Sequence, residues 1–150
     1  MTFPGPVRLD LPSQLDLLDL IQGVGEQLAV RAGFDDEQKL DVGLALREGA
    51  INAIKHGNGL EAGRRVKVSI EVVEGSRFRM AVRDEGVGFD PDTTPDPTDP
   101  ANLWRTNGRG LLLIRSLVDE VEFVRHEPGM EIVLTKDIPE QKSASSGEAS

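Results

Sequence analysis

The segment LREGAINAIKHGNG, Leu46 to Gly59, sets a carboxylate, a carboxamide, an amine and an imidazole into an otherwise apolar stretch. Glu48 and Asn52 are four residues apart, so on a helix they project side by side. With Glu48 at zero, Asn52 falls at about 40°, Asp41 at about 20°, Lys55 at about −20° and His56 at about 80°. Leu40, Leu44, Leu46, Ala50, Ile51, Ala53 and Ile54 occupy most of the remaining circumference, and Arg47 interrupts the apolar arc. Such a seam is either a wet face, the commoner case, or the lining of a cavity. If it lines a cavity, a carboxylate beside an amide oxygen suits a proton acceptor and a hard cation. Lys55, at the helix end, would then be within reach of a phosphate.

Two glycine-bearing motifs follow. In RDEGVGF, Asp84 closes a strand, and Gly86 and Gly88 let the backbone approach a ligand. Asp-x-Gly is also an ordinary turn sequence. A carboxylate held at a strand end can accept a hydrogen bond from an exocyclic amine such as that of adenine. In NGRGLLLI, Gly108 and Gly110 open an apolar helical run, whose free N–H groups can meet an anion; a plain hinge is the alternative. Neither motif is a Walker loop or a dinucleotide fingerprint.

These residues need a frame. PVRLDLP alternates and reads as an edge strand. Leu17, Leu18, Ile21, Val24 and Leu28 lie at helical spacing, so residues 13 to about 32 read as a helix, with Ser13 three before Asp16 as a loose capping box. Gly33 ends that helix, and Asp35 can cap a second from about Asp36 to His56, where Gly57 and Gly59 permit a left-handed stop. RVKVSIEVVE and RFRMAVRD read as a hairpin turning at EGS. The stretch from Asp84 to Gly110 is rich in proline and aspartate and cannot pack a core of its own, which marks a functional lid or a disordered insert. GLLLIRSLVDEV reads as a third helix; EVEFVRH and MEIVLTKDI read as two strands with a turn at EPGM. The expected architecture is a two-layer α/β sandwich, a mixed, mainly antiparallel sheet with helices on one face. Residues 1–138 form one domain with a lid at about 89–109, and 139–150 form a disordered tail.

Composition narrows the function. The 150 residues are 38% hydrophobic and 29% charged, with a net charge of −9. That balance disfavours a nucleic-acid backbone as a partner but leaves room for a nucleotide in a locally basic pocket. With no cysteine, thiol chemistry and disulfides are excluded. No signal segment and no apolar run of about 20 residues is present, so the expected location is the cytoplasm, away from membranes.

The motifs EGAINAIKHGN, DEGVGF and NGRGLLLI, in this order and around a variable loop, resemble the N, G1 and G2 boxes of the GHKL ATPase superfamily. Within it the chain most resembles the anti-sigma factor serine/threonine kinases, over nearly its whole length. The resemblance implies ATP and Mg2+. It implies that Asn52 holds the metal, that Glu48 is the general base, and that Asp84 reads the adenine amine. Gly86 and Gly88 then belong to the G1 box and Gly108 and Gly110 to the lid, while Lys55 and His56 join the nucleotide-binding set through the N box. Arg105 and Arg109 compete for the role of lid arginine on the terminal phosphate. The implied partners are a sigma factor and an anti-anti-sigma protein of the STAS type, with a homodimer as the working form. Two alternatives stand beside this reading: a GHKL-type ATP-binding regulator without kinase activity, and the catalytic domain of a histidine kinase.

Overall fold

The computed structural model describes residues 3–86 and 110–140. The chain forms β1 (Val7–Pro12), a 3-10 turn (Leu15–Leu17), α1 (Leu18–Ala32) and α2 (Asp36–Ile51), which continues as a π turn (Asn52–Gly57). Then come β2 (Arg65–Val73), β3 (Arg77–Arg83), α3 (Gly110–Leu117), β4 (Glu120–Arg125) and β5 (Met130–Asp137). The five strands make one sheet in the order β1-β2-β3-β5-β4. Every pairing is antiparallel, so the sheet expected to be mixed has no parallel pair among the described residues. β1, which closes on Pro12, lies at the edge.

Period-two alternation puts Val66, Val68, Ile70, Phe78, Met80, Val82, Ile132 and Leu134 on one face of the sheet, and all are buried. They pack against Ile21, Leu28, Val42, Leu46, Ala50, Ile54 and Ile114 of the helices, which closes one core between two layers. Phe78 is gripped edge-on by Phe34, with ring centroids 5.4 Å apart. The hairpin turn has Glu74 and Gly75 at φ of 54° and 73°, and Ser76 N–H returns to the Val73 carbonyl at 3.1 Å. Two consecutive left-handed residues in this three-residue loop suit the twist of the flanking strands.

The caps decide where the helices begin and end. Gly33 ends α1 at φ 107°, in the left-handed region. Asp35 and Gln38 form a reciprocal capping box at the start of α2. Ser13 does not cap α1. Its hydroxyl accepts a hydrogen bond from Asn58 at 3.0 Å, and the chain enters α1 through the 3-10 turn instead. Arg47 breaks the apolar arc of α2 because it ties α2 to α1, bonding Asp19 at 2.7 Å and Gln22 at 3.1 Å. Leu40 and Leu44, expected within the apolar circumference, are exposed, because α1 and the sheet cover only the other sides of α2. Among the described residues no helix is long and apolar enough to cross a membrane.

Candidate active site

Glu48 and Asn52 are half-buried and face the start of α3. A methyl group placed on Gly110 would stand 3.3 Å from Glu48 Oε1 and 3.6 Å from Asn52 Oδ1. The two oxygens therefore converge on one spot, beside Gly110 at the first described turn of α3. The seam is therefore not a fully solvated face: Glu48 and Asn52 are covered in part by α3. Its third member, Asp41, lies 3.9 Å from Lys136, whose amine also donates to the Leu117 carbonyl at the end of α3.

The helical count stops at Asn52. From there the backbone widens into a π turn, and Asn58 N–H reaches back five residues to the Ala53 carbonyl at 2.7 Å. Lys55 and His56 lie in this turn, both exposed, so the angles expected for them on a regular helix do not hold. Partial burial lowers the His56 pKa, and the neighbouring Lys55 charge lowers it further. Of the two glycines expected to permit a left-handed stop, Gly59 supplies it, together with Leu60, each at φ 64°, and Gly57 does not. Gly57 is there for space: a Cβ on it would overlap the Asp84 carboxylate.

Asp84 follows β3 directly and is 6% exposed. Its Oδ1 accepts the N–H of Gly86 at 3.0 Å and of Met130 at 3.1 Å. Its Oδ2, over Gly57, accepts no hydrogen bond from the described residues and is available to an amine. Burial raises its pKa; the two N–H groups and the charges of Arg64 and Arg83 pull the other way. Gly86 and Gly129 are fixed by the same crowding, since a Cβ on Gly86 would overlap the Gly57 carbonyl and one on Gly129 the Asp84 carbonyl. Gly88, Arg105, Gly108 and Arg109, with the expected lid at 89–109, lie outside the described residues, as do residues 141–150 of the expected tail.

The donor set fits a nucleotide with its metal. Among the described residues Asn52 Nδ2 is buried without a hydrogen-bond partner, which suits a site for a polar ligand. Among the described residues no three acidic or histidine side chains gather into a metal cage. Magnesium held mainly through substrate phosphates and one protein oxygen does not need one. Asn52 is the residue that would hold it. Sequence reasoning missed two contributors, Asn58 and the Gly129–Met130 turn. Their only signal was position, an asparagine closing the N-box motif and a glycine in a hairpin turn.

The geometry of a sheet-end carboxylate, a helix-borne Glu-Asn pair and a glycine-opened helix is that of an ATPase domain, and comparison agrees. The histidine kinase-like ATPase domain family matches residues 11–136, and the chain belongs to it. Within that family its relatives include the serine-protein kinase RsbW of Listeria innocua, 29% identical over 94% of this chain and 92% of the relative. RsbW of Staphylococcus aureus is 29% identical over 95% and 92%. Among solved structures, the RsbU and RsbW domains of a Mycobacterium tuberculosis protein share the fold, with a TM-score of 0.62 at 16% identity over 89% of this chain and 33% of that one. The histidine kinase domain of a blue-light activated kinase from Erythrobacter litoralis does so at a TM-score of 0.58 and 22% identity, over 88% of this chain and 64% of that one.

Proposed function

We propose that the protein is an ATP-dependent serine/threonine kinase of the anti-sigma-factor class. It sequesters a sigma factor and phosphorylates an anti-anti-sigma partner of the STAS type. It works in the cytoplasm as a homodimer; Leu20 and Val30 on α1 are exposed apolar positions that a second copy could cover. The likeness to proteins named serine-protein kinase over nearly the full chain supports this class.

One observation carries the reading: Glu48 and Asn52 converge on the start of α3 while the end of the same helix abuts Asp84. ATP then lies along the end of α2, with adenine at Asp84 Oδ2 and phosphates toward Gly110. Glu48 accepts the proton of the partner's hydroxyl as that oxygen bonds to the γ-phosphorus. The bond from the γ-phosphorus to the bridging oxygen breaks, and ADP leaves with the electron pair. Magnesium, when bound, supplies neutralising charge at the phosphates. Arg105 or Arg109 is assigned to the terminal phosphate by resemblance.

The test is Glu48→Ala. It is expected to slow phosphoryl transfer about 100- to 10,000-fold while leaving nucleotide affinity nearly unchanged. Transfer at close to the wild-type rate would remove Glu48 from the base role.

A further inference from the structure

We propose that Asn58, which the reading above does not use, is a positioning residue for nucleotide recognition. It pins the Asp84–Gly86 segment to the end of α2 before any nucleotide arrives. The proposal rests on the ATP reading and deepens it.

Asn58 is fully buried. Its Nδ2 donates to Ser13 Oγ and to the Arg65 carbonyl, each at 3.0 Å. Its Oδ1 accepts the Glu85 N–H at 2.8 Å. Its own N–H closes the π turn on Ala53, and its carbonyl accepts from Arg64 at 3.2 Å. The side chain thus bonds to three separate segments and faces no ligand, so it acts through others. Glu85 is the peptide between Asp84, whose Oδ2 accepts no hydrogen bond from the described residues, and Gly86, whose N–H holds Oδ1. Glu85 is fastened a second time, its carboxylate accepting the Arg65 N–H at 2.8 Å. Together these bonds set the separation between Asn52 on the helix and Asp84 on the sheet. An ATP molecule spanning both must meet that separation, and a preset one removes an ordering cost from binding.

Only the Oδ1 bond to Glu85 carries this role; the Nδ2 bonds serve stability. Asn58→Ala removes both and leaves the Glu85 N–H without its acceptor, so the loop is released toward water. Asn58→Asp keeps an acceptor for Glu85 but loses the donors and buries a charge. Thermal unfolding and calorimetric titration with Mg–ATP separate the two effects. Both variants are expected to melt below the wild type. Asn58→Ala is expected to bind Mg–ATP about tenfold more weakly or worse, and Asn58→Asp to stay within about threefold of wild type. Affinities that fall in step with the melting temperature, or that do not fall at all, would overturn the proposal. If neither variant folds, hydrogen exchange on the nucleotide-free wild type decides. A Glu85 amide as protected as those of β3 supports the clamp, and exchange at open-loop rates overturns it. A wild type that binds no ATP sinks the ATP reading and this role with it, whereas wild-type binding with an unimpaired Asn58→Ala sinks this role alone.

Discussion

Asp84 shows what a site costs at the scale of one residue. Burial raises its carboxyl pKa, so folding disfavours the charged form that an amine needs. The neutral form's contribution to stability is complete below the ordinary aspartate value of about 3.9 and is lost as pH rises through the raised value. Asp84→Asn should therefore raise the melting temperature by a few degrees at pH 7 and weaken Mg–ATP binding at least tenfold. The gain in melting temperature should fade toward pH 3–4, where Asp84 is neutral as well, and scans at several pH values check this. The placement of Glu48 beside Asn52 and of Asp84 at a strand end was legible in the sequence because spacing and motif order carry it. Asn58 was not, since nothing in NAIKHGNG distinguishes a capping asparagine from one bonded to three distant segments. Gly57 was legible as a glycine but for the wrong reason. Its close approach to Asp84 depends on how a helix end meets a sheet end, which one-dimensional spacing does not contain.

Among the elements, α2 carries most of the proposed site, and its two ends are built differently. The start is local: Asp35 caps it, and Asp35→Ala should cost about 1 kcal/mol in denaturant unfolding. The end is tertiary. The π turn exists where Asn58 and Gly57 meet the sheet, so regular helical counting carried past Asn52 misplaced Lys55 and His56. The contact with α1 makes a sharper test. A Cβ on Gly25 would lie 2.7 Å from Leu46 Cδ2, inside the core, whereas one on Gly43 would meet only the Glu26 side chain, which can swing away. Gly25→Ala should lose about 1–3 kcal/mol. Gly43→Ala should change stability by at most about 1 kcal/mol, because helix propensity offsets the displaced carboxylate. Strands and helices were legible almost throughout, since alternation and helical spacing each bury one face. What sequence could not supply was the insertion of β5 between β3 and β4, which the hairpin and the α3 crossover decide together.

At the scale of the molecule, helices and sheet form two layers, and the proposed nucleotide lies where their ends meet. A ligand there touches both layers, so binding should stabilise the whole fold. At a free concentration 100 times its dissociation constant, Mg–ATP should add about 2.7 kcal/mol. That corresponds to a rise of about 5–10 °C in melting temperature for a chain of this size, readable in a thermal scan. The relatives match this chain nearly end to end, so the proposed kinase activity would belong to the domain as a whole. The most direct test of phosphoryl transfer uses ATP labelled at the γ-phosphate, cell lysate and the purified protein, wild type or Glu48→Ala. The account predicts acid-stable phosphoserine or phosphothreonine on a partner protein with the wild type and almost none with the variant. Acid-labile label, or equal labelling by both proteins, would contradict it.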